Sequence, residues 1–126
     1  MSPGERSVIC EAGLAKIKAA SLEWATVNGG QVSSIRTVPT TIDVAARALQ
    51  GDRVSAGDFP IYLTIISGQF RIGVSAERPS GRSGVWAALF ISRESFEVMV
   101  TIMRPTNYDQ GVNYSELDGF TEISLI

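Results

Sequence analysis

Histidine is absent from the 126-residue sequence, and cysteine occurs only once, as Cys10. Because histidine is the commonest general base and the commonest zinc and copper ligand, its absence excludes Ser-His and Cys-His catalysis. A single cysteine excludes an intrachain disulfide and a cysteine metal cluster. The helical spacing of Cys10 with Leu14 and Ile17 predicts a small buried hydrophobe rather than a reactive thiol.

Motifs that bind phosphate or activate a nucleophile are also missing. Neither Gly-x-Gly-x-x-Gly nor a P-loop occurs. The chain has two lysines, Lys16 and Lys18, and neither has a serine three residues before it, so the Ser-x-x-Lys motif is absent. The carboxylates that remain as candidates for acid-base chemistry are Glu94, Glu97, Asp109, Glu116 and Asp118. We expect these groups to be solvated, and we assign no catalytic, cofactor-binding or metal-binding residue.

The chain carries little net charge, with a formal value of -2. It therefore has no global basic field for nucleic acid, and no predicted helix carries a cationic stripe for an anionic membrane. Neither nucleic acid nor a membrane surface is expected as a partner.

Long apolar runs are missing as well, since none approaches the roughly 18 residues of a membrane span. Residues 1–25 also lack the layout of a signal peptide, because charged side chains interrupt every apolar stretch. We expect no membrane insertion by this chain. The protein is either cytoplasmic or, if an export or anchor segment has been removed from the sequence, extracytoplasmic.

What is present is ordinary globular composition, with 44% hydrophobic and 19% charged residues, and a length that predicts one domain over residues 1–126. Residues 2–5 (SPGE) resemble a capping box and predict the start of a first helix, which residues 28–30 (NGG) end. Residues 32–38 predict a short strand that stops at Pro39. Thr40 begins a second predicted helix, which runs through Leu49.

The stretch YLTIISGQFRIGV, residues 62–74, predicts one strand with a bulge at Ser67-Gly68 in preference to a hairpin turn. The bulge would insert one residue and return Phe70 to the face that carries Leu63 and Ile65. Glycine inside a strand often marks such a bulge.

Three further segments complete the predicted sheet. Residues 75–84 predict a hairpin loop, and residues 85–91 (VWAALFI) predict a strand that is apolar on both faces. Residues 96–103 predict a half-solvated strand after a tight turn at Arg93-Glu94. The predicted fold is therefore α+β, with two helices packed on one face of an antiparallel sheet of about four strands. The order is α-β-α-β-β-β, and residues 105–126 form a tail that wraps the sheet.

Two features of the hairpin region are candidates for contact with a partner. Arg78 and Arg82 lie in the predicted loop, and Trp86 and Phe90 share one side of the following strand. Such a side is more often core, but helices that cover only one sheet face leave room for a partner surface. We take Arg78, Arg82, Trp86 and Phe90 as the candidate contact residues.

Several segments together resemble the small PepSY-like domains of exported bacterial proteins. The resemblance covers about residues 12–120 and is carried by TVPTT, FPIYLTIISGQF, ALFISRESFEVM and NYSELDGF. The chain has Ser92, Ser95 and Phe96 where that family usually carries Asp and Thr-Gly in the turn. The resemblance implies an extracytoplasmic accessory domain that binds a protein partner or a ligand, with no catalytic residues to carry over.

The sequence thus predicts a non-enzymatic binding or regulatory module. Two alternatives remain open, namely a carboxylate-dependent enzyme acting on a small polar substrate and a self-associating structural domain with an unprotected strand edge. A buried carboxylate would favour the first alternative, and a homo-oligomer would favour the second.

Overall fold

A five-stranded antiparallel sheet with two helices forms the fold among residues 9–28, 30–50, 57–72, 82–104, 117 and 119–125, which the computed structural model describes. In chain order the elements are α1 (Glu11–Val27), β1 (Gln31–Thr41), α2 (Ile42–Gln50), β2 (Pro60–Ile72), β3 (Arg82–Ser92), β4 (Val98–Arg104) and β5 (Thr121–Ile123). The strand order across the sheet is β4-β3-β2-β1-β5. The predicted α+β class is confirmed.

Helix α1 begins later than predicted, because Cys10 is its N-cap and has an extended backbone. The Cys10 sulfur accepts a hydrogen bond from the Gly13 amide at 3.4 Å. Cys10 is exposed, so the prediction of a buried thiol is wrong. The helix instead buries a row at i, i+4 spacing that includes Ile17, Ser21 and Ala25. The predicted capping box, residues 2–5, lies outside the described residues.

Helix α2 follows β1 directly. The Thr41 hydroxyl accepts a hydrogen bond from the Val44 amide at 3.3 Å, so the capping residue is one position after the predicted Thr40. Asp43 and Arg47 form an i,i+4 ion pair at 2.7 Å on the helix surface. The helix runs through Gln50, one residue beyond the predicted end.

The two helices cover opposite faces of the sheet, which corrects the prediction that both lie on one face. Ile17 and Ala25 of α1 pack in one core cluster with alternate residues of β3, Ala87, Leu89 and Ile91. Ala45, Ala48 and Leu49 of α2 pack in a second cluster with the intervening residues, Trp86, Ala88 and Phe90. The physical reason is that the central strands β2 and β3 are apolar on both faces, so each face needs cover.

Strand β2 continues through Ser67-Gly68, as predicted, and is bulged there. Three residue steps from Ser67 to Phe70 face two steps from Trp86 to Gly84 on β3, so β2 carries one extra residue. The close approach of β1 requires glycine at this point, since a Cβ on Gly68 would collide with the Gln31 carbonyl.

The predicted change of face at this bulge is wrong for Phe70. Its ring belongs to the cluster on the α1 face and meets the Trp24 ring edge-on, with centroids 5.0 Å apart. The Arg71 amide donates a hydrogen bond to the Asn28 carbonyl at 2.7 Å. This bond ties the end of β2 to the end of α1 and holds Phe70 under the helix.

Strand β5 adds an element that sequence patterns did not predict. It pairs antiparallel with β1 over three residues, from Ile35 opposite Ile123 to Thr37 opposite Thr121. Ile123 packs in the cluster under α1, whereas Leu117 and Phe120 pack against the cluster under α2. These C-terminal residues therefore contact both faces of the sheet. Residues 105–116, the rest of the predicted wrapping tail, are outside the described part.

Candidate functional site

The structure does not support the aromatic half of the predicted contact surface. Trp86 is 0% exposed and Phe90 is 3% exposed, and both lie in the core beneath α2. Arg78 lies outside the described residues, and the backbone of Arg82 opens β3. A partner contact through Trp86 and Phe90 is therefore excluded in the folded chain, and one through the two arginines stays a prediction.

The candidate acids separate into two groups. Glu94 and Glu97 are exposed in and after the turn between β3 and β4, which confirms that they are solvated. Asp109, Glu116 and Asp118 lie outside the described residues. Within the described part of the chain, no three His, Cys, Asp or Glu side chains come together as a metal site. Neither of the two helices has the length and apolar character needed for a membrane span.

An open cleft lies between α1 and the turn that connects β3 to β4, with a volume of about 340 Å³. One wall is a single face of α1 at i, i+3, i+4, i+7 spacing, formed by Ala20, Glu23, Trp24 and Val27. The other wall consists of three consecutive residues after the turn, Phe96, Glu97 and Val98. We call this region the α1-turn cleft.

The turn that precedes the second wall is fixed by hydrogen bonds centred on Ser92. The Ser92 hydroxyl accepts hydrogen bonds from the amides of Glu94 at 3.1 Å and Ser95 at 3.2 Å. The Phe96 amide donates to the Ser92 carbonyl, and the Ser92 amide donates to the Glu97 carbonyl, both at 2.9 Å. The predicted tight turn at Arg93-Glu94 is confirmed, and these bonds set the position of the residues that follow it.

Phe96 has a left-handed backbone, with φ at 59°, which a bulky residue adopts only when its surroundings require it. Its ring stacks on Tyr62, with centroids 5.6 Å apart and planes at 27°. The Lys16 Nζ lies 5.0 Å from the centroid of the same ring. Phe96 therefore joins the turn to α1, and its conformation places Glu97 and Val98 at the mouth of the cleft.

The chemistry of the cleft combines apolar walls with carboxylates. Trp24, Phe96 and Val98 are half-buried, and Val27 is 78% exposed. Glu23 and Glu97 stand on opposite walls at exposed positions. Such a surface can take up an apolar side chain and attract a neighbouring basic group.

The cleft could not be predicted from the sequence for two reasons. The spacing of Ala20, Trp24 and Val27 was a usable signal for a second apolar face on α1, beside the buried face. The left-handed backbone of Phe96 gave no signal, because glycine or asparagine normally marks such a position. The turn was predicted from Arg93-Glu94, but its packing against α1 depends on contacts distant in sequence.

Comparison of the chain with protein-family models, with curated proteins and with solved structures gave no match.

Proposed function

We propose that this protein is a non-enzymatic binding module and that it contacts a protein partner through the α1-turn cleft. The partner segment carries a large apolar side chain next to lysine or arginine. The observation that carries the proposal is the combination of apolar walls with a carboxylate on each of them, Glu23 and Glu97.

The apolar part of the proposal rests on side chains that the described residues cover only in part. Val27 ends α1 with 78% of its surface in water, and the half-buried Trp24 and Phe96 line the same cleft. Aromatic residues are enriched at interfaces because they offer a large contact area at a low cost in conformational entropy. An apolar side chain that enters this cleft would cover all three.

The strained backbone of Phe96 also supports a binding role. Left-handed conformations of non-glycine residues cluster at sites where the surrounding structure maintains them for a function. Here the Ser92 hydrogen bonds and the Tyr62 stack hold Phe96 in place before any partner arrives. A preformed site loses less conformational entropy on binding.

Binding is favoured over catalysis at this site because Glu23 and Glu97 are exposed. Carboxyl groups that act as general acids in enzymes usually owe this role to burial or to a second, adjacent carboxylate. Among the described residues, no buried side-chain polar atom lacks a hydrogen-bond partner. Because its carboxylates are exposed and its walls are apolar, the cleft suits recognition of a partner better than proton transfer.

The resemblance to PepSY-like domains is consistent with this proposal, since it implies an accessory role without catalytic residues. If an export or anchor segment has been removed from the sequence, we propose that the module lies outside the cytoplasm. Immunodetection in fractionated source cells tests this placement, and a signal confined to the cytoplasmic fraction would contradict it.

The binding proposal is tested by selecting peptides from a random library displayed on phage against the purified full chain. We expect enrichment of peptides in which a large apolar residue neighbours lysine or arginine. A fluorescein-labelled enriched peptide should bind the Val27→Lys variant about tenfold or more weakly, because the variant removes an apolar contact and repels the basic partner. Its melting temperature should not fall, since the introduced lysine lies four residues after Glu23 near the helix C-terminus.

Thr26→Lys is the matched control, because Thr26 is exposed in the same helical turn but does not line the cleft. This variant should keep the affinity of the wild-type chain. In NMR spectra of the complex, the resonance of the Trp24 indole should shift, whereas the resonance of the buried Trp86 indole should not. Failure to enrich any peptide, or equal affinity for the wild-type chain and Val27→Lys, would refute the proposal.

A further inference from the structure

We propose that the α1-turn cleft also selects an acidic residue in its partner, through Lys16 and Arg93 at the end of the cleft where α1 begins. This selectivity rests on the proposed function, since it belongs to the same cleft. The partner segment then carries an acidic residue on one side of its large apolar residue and lysine or arginine on the other.

Lys16 continues the α1 wall of the cleft by one helical turn. It is exposed and precedes Ala20, the first residue of that wall, by four positions. Its Nζ lies 5.0 Å from the ring centroid of Phe96, which belongs to the opposite wall. Within the described part of the chain, no carboxylate forms an ion pair with Lys16. Its charge is therefore available to a partner segment.

Arg93 brings a second cation to the same end of the cleft. Its amide donates a hydrogen bond to the Pro60 carbonyl at 3.3 Å, at the start of β2. Its Cζ lies 5.6 Å from the centroid of the Tyr62 ring, which stacks on Phe96. Arg93 is exposed, and none of the described carboxylates pairs with it. Each ring of the stacked pair therefore has one cation beside it.

The charge of the α1 wall changes sign along the helix. Glu23 follows Lys16 by seven positions, which places both on one face of α1 and separates them by about 10 Å along its axis. At the end beyond Glu23, the Asn28 carbonyl accepts the hydrogen bond from the Arg71 amide at the end of β2. α1 and β2 therefore run in the same direction, so Glu23 lies away from the end that holds the two cations.

An extended partner segment matches this arrangement of charge. Three residues of an extended chain span about 10 Å, which equals the separation of Lys16 and Glu23 along α1. When the base of the segment meets Glu23 and its apolar side chain lies between the walls, the residue on the other side reaches Lys16. An acidic residue at that position is attracted by two cations, and a basic residue is repelled.

The test repeats the phage selection of random peptides against the full wild-type chain and against Lys16→Glu. On the wild-type chain, we expect peptides with aspartate or glutamate two or three positions from lysine or arginine and the large apolar residue between them. On Lys16→Glu, the preference for an acidic residue should be lost, whereas the apolar residue and the neighbouring base should be kept.

Affinities of a fluorescein-labelled peptide from the wild-type selection measure the contribution of each cation. Lys16→Glu should bind it about fivefold more weakly, because the reversal turns an attraction between exposed charges into a repulsion. Arg93→Glu should act in the same direction. The same peptide with its acidic residue replaced by lysine should bind Lys16→Glu more tightly than it binds the wild-type chain.

Lys18→Glu is the matched control. It makes the same change in net charge on the same helix, but residues two positions apart on a helix do not share a face, so Lys18 points away from Lys16. This variant should bind both peptides as the wild-type chain does. Circular dichroism verifies that each variant is folded.

The outcomes separate the two proposals. Enriched peptides with an apolar residue beside a base, but without a preference for an acid, would overturn the acidic selectivity and leave the proposed function standing. Equal losses of affinity in Lys16→Glu and Lys18→Glu would also overturn it, since net charge alone would then account for the effect. A selection that enriches no peptide refutes the proposed function, and the acidic selectivity with it.

Discussion

Among the described residues, Phe96 has the backbone conformation that is least compatible with its side chain. A left-handed φ costs an ordinary L-residue about 1–2 kcal/mol, and glycine avoids this penalty because it has no Cβ. Phe96 keeps this conformation because its ring contacts both Tyr62 and Lys16, while its amide donates a hydrogen bond to the Ser92 carbonyl. The strain at this residue is therefore balanced by contacts that connect the turn to α1.

Replacement of Phe96 by glycine or alanine separates these effects. Both variants lose the ring contacts, but only Phe96→Ala retains the left-handed penalty. We expect Phe96→Gly to have a free energy of unfolding about 0.5–1 kcal/mol larger than that of Phe96→Ala in urea denaturation, after allowance for the entropy of glycine in the unfolded chain. Ala19 is exposed in α1 and serves as the reference position. There, the Ala19→Gly variant should have a free energy of unfolding about 1 kcal/mol smaller than that of the wild-type chain. If the alanine form were the more stable one at both positions, the left-handed backbone of residue 96 would be contradicted.

At the scale of elements, the bulge in β2 and the start of β1 depend on each other. The β1–β2 register shifts between Val32 and Ser34, and the β2–β3 register shifts between Ser67 and Phe70. Both shifts occur beside Gly68, where the Gln31 backbone approaches too closely for any side chain. The glycine thus sets the local distance between two strands as well as the bulge.

Gly68→Ala should therefore destabilise the protein. We expect a loss of about 1–3 kcal/mol in the free energy of unfolding, because the new methyl group meets backbone atoms that cannot move without disturbing the sheet. Gly119→Ala is the matched control, since a Cβ there lies within 4 Å of none of the residues that the structure describes. Urea denaturation of both variants measures the difference, and a Gly68→Ala variant as stable as the control would contradict the close approach.

Local patterns in the sequence were sufficient for most elements but not for their placement. Period-two alternation and Ser67-Gly68 predicted a bulged β2, and β-branched residues predicted β1. Helical periodicity identified Ile17 and Ala25 as buried, but periodicity cannot say which face of a sheet a helix covers. Strand β5 was missed because three residues are too short for a periodic signal, and its partner β1 is far away in sequence.

At the scale of the whole molecule, the sheet separates two hydrophobic clusters that share the backbone of β2 and β3. Ile17 belongs to the cluster under α1, and Ile65 belongs to the cluster under α2. Both side chains are 0% exposed. Because the same strands supply both clusters, neither face can be exposed to water without disturbing the strands that support the other.

Removal of one methylene group from the core on either face of the sheet should affect the same single unfolding transition. Ile17→Val and Ile65→Val should each lower the free energy of unfolding by about 0.5–1.5 kcal/mol. The double variant should equal the sum within about 0.5 kcal/mol, since the residues lie on opposite sides of the sheet. Far-UV circular dichroism in urea should show one transition for all three variants. A second transition in either single variant would mean that the two faces unfold separately.

The pairing of β5 with β1 also has a consequence for biosynthesis. The strands from β1 to β4 are neighbours in the sheet in the order in which they are translated, so each can add to the one before it. β1 must wait for residues 121–123 before its outer edge gains β5. Until those residues emerge from the ribosome, the outer edge of β1 lacks its β5 partner, and an unpaired edge of this kind can pair with another chain during synthesis.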